Sequence, residues 1–546
     1  MEILNNKPGE KAILLGNEAI VRGALEAGVQ FVATYPGTPA SEIGNLFYQI
    51  QKSDFKIPGL YFEFSVNEKL AMEAGMGASY SGLKTLVAMK NFGLNVASEP
   101  LLPFVYTGTK GPTVIMIADD PSCHSSAQSE ENTRAFASLA HIPIFEPSDA
   151  QECKDFIKLA FQVSEKYNIP VMVRTTTRVS HQKMPVELGP LPQINQAGSG
   201  DFVKDVNRFV TLPPRVLNMK QELLDKIIRI KDLAEKSSVN KIIRGENKTL
   251  GVIASGISYL YVMEAMQKLG LSLPVLKLGS FYPLPDKKIQ AFLKGLRKVL
   301  VVEELEPYLE KEVKALAQKT NCKIQVFGKD LIPETGELKP EIVTLSLAKL
   351  ANKKYSVPVV KTIPTLKRSP ILCPGCPYWL VISAVKKAVD VNQVVFGGEI
   401  GCYMLFGSSV VNLQDYLACM GSSVGIGHGI KKASNNKKKL IAFVGDSSFF
   451  HSGIPALINT VFNKSNPLII ILNNDTTAMT GHQPHPGNNG IVIENVVAAC
   501  GVKNLKVIDP VNQAEFIQTI KDFMDAPEVS VIIARHPCIF VAKKQN

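Results

Sequence analysis

The sequence predicts an α/β protein of several domains built on doubly wound parallel sheets. Three observations carry that. Short apolar runs bounded by turn residues recur in the first third, at Phe31–Thr34, Thr85–Met89, Thr113–Ala118 and Pro170–Arg174, with helical stretches between them. In the last third, residues 441–476 read strand, turn, helix, strand: Ile441–Val444 ends in Gly445-Asp446-Ser447, and Pro467–Leu472 ends in Asn473-Asn474-Asp475. The length, 546 residues, suggests about three or four domains.

Taken in order, residues 1–185 form a first α/β domain. In it, Pro36, Gly37 and Pro39 end a strand and start a turn, and a helix of small residues begins at Asn67. Residues 186–247 read as a connector, rich in Pro and Gly at first. An amphipathic helix follows in VLNMKQELLDKIIRIKDLAEKS, whose apolar side packs on a neighbouring domain. Residues 248–350 form a second α/β unit, in which FYPLP breaks the pattern. Glu303, Glu304 and Glu306 there read as an interface or helix-start cluster. Residues 365–546 hold the last domain, from RSPILCPGCPYW to RHPCIF, with a small-residue helix in ACMGSSVGIGHGIKKAS.

Composition excludes some classes. The longest apolar runs fall short of the ~20 residues a membrane span needs. The N-terminus has no signal-peptide pattern, so a cytoplasmic location is expected. The net charge of +11 is scattered, which suits a solvated surface or docking of an acidic protein. No nucleic-acid motif is present. Nine cysteines in such a chain suggest metal binding or burial rather than a disulfide framework.

The chemistry concentrates at strand ends. In an open parallel sheet, neighbouring strand ends form the ligand crevice. Asp446 offers a carboxylate, Asn474 a side-chain carbonyl and Thr476 a backbone carbonyl. Oxygen ligands with room to spare suit Mg²⁺ held partly by phosphates. Gly445 and Ser447 lead into a helix N-terminus that favours a diphosphate; ordinary turn chemistry is the alternative. His451, His482 and His485 lie beside these strands as candidate general acids or bases, or as turn-stabilising residues. Lys90 and Asn95, after a strand, suit a substrate-facing loop; Arg174 and Arg178 are further candidates for an acid substrate. His124 reads as a structural loop histidine. Cys373 and Cys376 form CxxC, with Cys402 and Cys538 further on; CxxC alone suits zinc, a redox dithiol or iron–sulfur, the four together can hold a [4Fe–4S] cluster, or the thiols are simply buried. Cys419 and Cys500 read as buried thiols.

GDS followed at this distance by NN resembles the thiamine diphosphate fold. FFHSG, AMTGHQPHPG at 478–487, GNEAIVRGALEAGV at 16–29, YPGTP at 35–39, SVNEK at 65–69, GLNVASEP at 93–100 and RTTTRVSH at 174–181 narrow the resemblance to the alpha subunits of indolepyruvate ferredoxin oxidoreductases. It implies a pyrimidine-binding domain at 1–185, a transketolase C-terminal-like domain at 248–350 and a diphosphate-binding domain at 365–546. It also implies thiamine diphosphate and Mg²⁺, with Glu68, nine residues before Gly77, as the carboxylate that activates the cofactor. Without it, Glu68 reads as a first-turn acid. Thr38 is the candidate contact for the 2-oxo acid. The cysteines resemble the ligands of the proximal cluster in pyruvate:ferredoxin oxidoreductases. The implied reaction is oxidative decarboxylation of an arylpyruvate, with the acyl group passed to coenzyme A and electrons to ferredoxin. A smaller beta subunit and a hetero-oligomer built on an alpha dimer are implied too. The family's usual ferredoxin-like tail is not in this sequence, which leaves non-oxidative decarboxylation as the alternative.

Overall fold

The computed structural model describes residues 2–53, 57–125, 128–192, 200–357 and 370–545. Residues 193–199 of the expected connector and 365–369, where the last domain was expected to open, lie outside the described residues. The chain divides into two units, Met1–Lys361 and Thr362–Asn546.

The first unit carries a seven-stranded sheet in the order Ser280–Tyr282, Ile144–Phe145, Val171–Thr176, Thr113–Asp119, Thr85–Lys90, Phe31–Thr34, Tyr61–Phe64. All neighbours pair in parallel except the first two. The central strands are buried along their whole length, which is why they read as unbroken apolar runs. Ser280–Tyr282 corrects the reading of FYPLP as a mere break. Those residues leave the second sheet and pair antiparallel with Ile144–Phe145, a long-range partner that no local pattern announces. The second sheet runs Gln325–Phe327, Lys298–Val302, Leu250–Ser255, Val275–Leu278, Lys241–Ile243. The helix Arg215–Lys236 buries Met219, Leu223, Ile230 and Ala234 on one side, as its periodicity requires.

The second unit is a six-stranded parallel sheet in the order Tyr416–Leu417, Val394–Gly398, Lys439–Gly445, Leu468–Asn473, Ser530–Arg535, Asn504–Ile508. Its core gathers Phe396, Phe406, Phe443, Ile470 and Phe516. Two expectations change here. The stretch after Asp446 is not one regular helix: Asp446–Ser448 passes into a π-helical turn, Phe449–Gly453, before the helix Ile454–Phe462. Such turns concentrate at functional sites. Cys419 is exposed rather than buried, and Cys500 is half-buried. The helix expected to include Cys419 starts only at Ser422, behind Gly421 at φ +75°. Cys419 sits in the preceding turn, where its carbonyl accepts the Ser422 amide.

Candidate active site

The strands Lys439–Gly445 and Leu468–Asn473 are parallel neighbours, with Gly445 opposite Leu472. Asp446 and Asn474 therefore emerge at the same sheet edge. Asp446 Oδ2 accepts the backbone N–H groups of Asn474 (3.0 Å) and Asp475 (2.9 Å), and Oδ1 accepts that of Ser447 at 2.7 Å. Asn474 Oδ1 accepts the Thr476 amide at 3.2 Å. The Ser447 and Thr477 hydroxyls lie 2.6 Å apart. Asp446, Asn474 and Thr476 are all buried. The result is a buried cluster of side-chain oxygens at two neighbouring strand ends, held by backbone amides. Gly445 is required by a close approach: a Cβ there would stand 2.9 Å from the Tyr403 ring.

The three histidines separate. His485 Nε2 is 3.3 Å from Asp446 Oδ2, its Nδ1 accepts the Gly487 amide at 3.1 Å, and its ring packs on Phe450. His451 is buried in the π-helical turn, with Nδ1 3.0 Å from the Ser452 hydroxyl. His482 adopts φ +62° and packs on Phe540. Of the three, the structure brings His485 to the carboxylate.

Sequence reasoning missed Glu399, which follows the strand Val394–Gly398 in GGEIGC. It is fully buried. Its carboxyl accepts the Tyr403 hydroxyl and the Gly421 amide, and lies 3.3 Å from the Gly445 amide. Tyr403 in turn accepts the Gly445 N–H at 2.8 Å. Burial pushes the Glu399 carboxyl up to about 8, against hydrogen bonds from Tyr403, Ser448 and Gly445 that lower it. An acid at the end of a buried strand was the available signal.

Of the four cysteines, Cys538 is tied to this edge, and Cys373 and Cys376 share one turn. The Cys538 amide donates to the Asn474 carbonyl at 3.0 Å, and the Cys376 amide to the Cys373 carbonyl at 3.0 Å. Gly375, at φ +77°, faces Ile539 beside Cys538. Burial pushes the Cys402 thiol up to about 12, and Cys376, Cys538 and Cys373 all add to it. Burial likewise raises Cys376 to about 11, with Cys373 and Cys538 contributing. The four thiols are thus electrostatic neighbours. Among the described residues, no group of three or more His, Cys, Asp or Glu is spaced to hold a metal ion as it stands. Tyr378, fully buried, feels Asp446 on one side and Cys402, Cys376 and Cys538 on the other, after burial itself, which raises its hydroxyl most.

In the first unit, Glu68 opens the helix Glu68–Tyr80, capped by the Asn67 side chain, and is buried. A Cβ on Gly93 would stand 2.6 Å from Glu68 Cγ, so the helix carrying Gly93 lies directly against it. That helix corrects one expectation: Lys90 and Asn95 are not on a loop. The helix Asn91–Thr107 starts at once after the strand, with Lys90 as its N-cap. It also contains Pro100 and Pro103, which in the sequence favour a loop. The Lys90 side chain lies over Gly37 of the YPGTP turn. Burial lowers the Lys90 ammonium, while Asp120, Glu68, Cys123 and Glu131 oppose that. Thr38 Oγ1 is 3.3 Å from the Ser41 hydroxyl. Glu68, Lys90 and Thr38 therefore lie at one end of the sheet, where three parallel strands finish, whereas Asn95 is exposed on the helix that follows. Arg174 does not join them by a free guanidinium. It is buried and bonded to Asp119 (2.7 Å) and Glu146 (3.2 Å). Arg178 is exposed and pairs with Glu337 at 2.8 Å. His124 also reaches Glu337, at 3.5 Å. Glu303 accepts the Leu309 and Glu310 amides at a helix start.

Known proteins with matching sequence fit this geometry. Residues 399–534 match the model described as "Thiamine pyrophosphate enzyme, C-terminal TPP binding domain". Residues 22–215 match "Pyruvate flavodoxin/ferredoxin oxidoreductase, thiamine diP-bdg", and 240–357 match "Indolepyruvate oxidoreductase domain". The chain is 42% identical to indolepyruvate oxidoreductase subunit IorA of Methanothermobacter thermautotrophicus, over 98% of this chain and 88% of that one. It is 40% identical to the IorA subunit of Pyrococcus horikoshii, over 98% and 87%. Its fold is similar to a 2-oxoglutarate:ferredoxin oxidoreductase from Magnetococcus marinus. That likeness has a TM-score of 0.50 at 18% identity and covers 62% of this chain and 65% of that one.

Proposed function

The chain belongs to the IorA family of indolepyruvate oxidoreductase alpha subunits, which are thiamine diphosphate-dependent 2-oxoacid oxidoreductases, and on that premise we propose that it oxidatively decarboxylates an arylpyruvate such as indolepyruvate. Coenzyme A receives the acyl group, and ferredoxin receives the electrons. A smaller beta subunit completes a hetero-oligomer built on an alpha dimer. The observation that supports this most is the Asp446 crevice. Its buried oxygens come from two neighbouring strand ends and are pre-ordered by three backbone amides. That donor set suits Mg²⁺ and a diphosphate. Asp446, the Asn474 side chain and the Thr476 carbonyl would hold the ion, with Gly445 and Ser447 toward the phosphates.

When bound, the thiamine cofactor supplies the electron sink for decarboxylation. The chain supplies position and protons. Glu68, buried at a helix start, would be the carboxylate that holds a proton against the cofactor's aminopyrimidine. Thr38 and Lys90 orient the carboxylate end of the 2-oxo acid, with Asn95 on the same helix; Lys90 provides the cation, since Arg174 is already committed to two carboxylates. Arg178 lies in reserve at the surface. His485 touches Asp446 and orders the metal loop, while His451 and His482 serve proton transfer or turn stability nearby.

Cys373, Cys376, Cys402 and Cys538 hold a [4Fe–4S] cluster. Support comes from the mutual influence of their thiols and from the Cys538–Asn474 backbone bond that ties them to the metal loop. Burial raises the Cys376 and Cys402 thiols, and a bound cluster would hold its ligands as thiolates. The test is an anaerobic assay of the chain with its partner subunit, coenzyme A and a redox dye over a panel of 2-oxo acids, with iron and sulfide measured on the same sample. Arylpyruvate-dependent dye reduction and about four irons per chain are expected. An iron-free preparation that still releases carbon dioxide and reduces no dye would overturn the oxidative reading.

A further inference from the structure

We propose that the seam between the first unit's two sheets holds a second binding site, one for a small carboxylate, apart from the substrate end at Lys90. A partly open pocket of about 240 Å³ lies there. Arg174 and Thr176 line it from the first sheet, and Ser255 and the start of the helix Ile257–Leu269 line it from the second. Thr176 ends the strand Val171–Thr176, and Ser255 ends the strand Leu250–Ser255. Both sheets thus offer strand carboxyl ends to one cavity, the position where open α/β sheets hold ligands. In the strand register Thr176 stands beside Asp119, and Lys90 beside Ala118. Two strand spacings, about 10 Å, therefore separate the pocket from Lys90.

Two buried groups in the wall have no hydrogen-bond partner, Arg174 Nη2 and Thr176 Oγ1. Arg174 is 3% exposed and Thr176 5%. The rest of the guanidinium is in use, Nε on Asp119 and Nη1 on Glu146, so Nη2 keeps both of its N–H groups for a ligand. The helix Ile257–Leu269 begins behind Gly256, which has no side chain to cap it. Its first amides, on Ile257 and Ser258, have no intrahelical partner and form the positive end of the helix dipole. A buried donor left unpaired is costly. An oxyanion satisfies all of these donors together.

Charge decides which oxyanion. Arg134 and Arg174 already face Asp119, Glu146 and Glu303, so the seam has no surplus positive charge for a phosphate dianion. Glu304 also lines the pocket. Its Oε1 accepts the Leu338 amide at 3.1 Å, and burial raises its carboxyl, which favours the protonated form and adds an O–H donor. A carboxylate brings a single negative charge and about four acceptor positions. That matches the two N–H groups of Arg174 Nη2, the Thr176 hydroxyl and the helix amides.

The experiment follows thermal unfolding of the purified chain in rising formate, acetate, inorganic phosphate or chloride at constant ionic strength. It compares the native protein with Thr176→Val, which keeps the shape and removes the hydroxyl, and with Thr176→Ser, which restores it. Formate and acetate are expected to raise Tm saturably in the native and serine proteins, and the valine variant to need about tenfold more of either. Without formate the valine variant should be at least as stable as the native protein, since Thr176 Oγ1 has no partner in the fold. A hydroxyl with a structural role alone would instead weaken the variant in every salt and leave the formate midpoint unchanged. Equal formate midpoints in all three proteins, a response to phosphate in place of carboxylates, or no response beyond that to chloride overturns the proposal. A crystal of the native chain grown in formate gives a second readout. A formate ion on Arg174 Nη2 and the Thr176 hydroxyl is expected, and water alone in the pocket refutes it.

Discussion

Replacing Glu399 by glutamine should change how the fold responds to alkali. Glu399 is fully enclosed, and burial raises its carboxyl from 4.5 to about 8. A carboxyl raised on folding binds a proton more tightly in the native state than in the unfolded one. Its stabilising contribution is complete below pH 4.5 and is lost as pH climbs through 8. The shift is 8 − 4.5, or about 3.5 pH units, and each unit corresponds to about 1.4 kcal/mol. Between pH 6 and 9 the native protein should therefore lose about 3 kcal/mol through this one group. Glutamine mimics the protonated acid in shape and removes the titration. The assay is denaturant unfolding of both proteins at pH 6, 7, 8 and 9, followed by far-UV circular dichroism. All other titrating groups are shared, so the difference between the two curves isolates residue 399. The variant should gain on the native protein from pH 6 to about 8 and level off towards pH 9. A difference that stays flat with pH would show that Glu399 is ionised throughout, and would refute burial as the controlling influence.

Three further outcomes are expected. Glu68→Gln should lower turnover about a thousandfold while thiamine diphosphate still binds by calorimetry; near-normal turnover would remove Glu68 from the chemistry. Asp446→Ala should weaken Mg²⁺-dependent thiamine diphosphate binding about a hundredfold, since it also frees the amides of Ser447, Asn474 and Asp475; unchanged affinity would place the cofactor elsewhere. Arg134→Met should cost about 3–5 kcal/mol in denaturant unfolding, because Glu146 and Glu303 lose a buried partner; a loss under about 1 kcal/mol would show that those acids are neutral in the fold.

Much of this was legible from punctuation. The strand ends at Gly445 and Asn473 stood out because glycine, aspartate and asparagine interrupt apolar runs that burial on both faces makes continuous. Glu68 was readable only through the resemblance, as a carboxylate nine residues before Gly77; by itself it reads as a first-turn acid of the helix it opens. What escaped was decided over long range. Pro100 and Pro103 suggest a loop, yet the helix from Asn91 is packed against Glu68 through Gly93 and persists. The strand Ser280–Tyr282 needs a partner more than a hundred residues away. Glu399 carries no motif, and its weight comes from Tyr403, Gly421 and Gly445 closing over it. Cys419 looked buried because its neighbours are apolar, but a left-handed glycine starts the helix two residues later.

A buried chain of charge ties the first unit's two sheets together. Arg134 bonds Glu146 through two nitrogens at 2.6 Å, Glu303 at 2.9 Å and the Ser255 hydroxyl at 2.8 Å. Glu146 belongs to the first sheet's side; Ser255 and Glu303 follow strands of the second. Arg174 continues the chain from Glu146 to Asp119, and Asp119 anchors Thr133. Burial opposes the charge on Arg134, but Glu146, Glu303 and Glu304 outweigh it and hold the guanidinium firmly protonated. Buried pairs of this kind contribute little net stability relative to apolar packing, yet breaking one is costly. Their value lies in fixing geometry. Here the geometry fixed is the seam between the two sheets, from Glu303 through Arg134, Glu146 and Arg174 to Asp119.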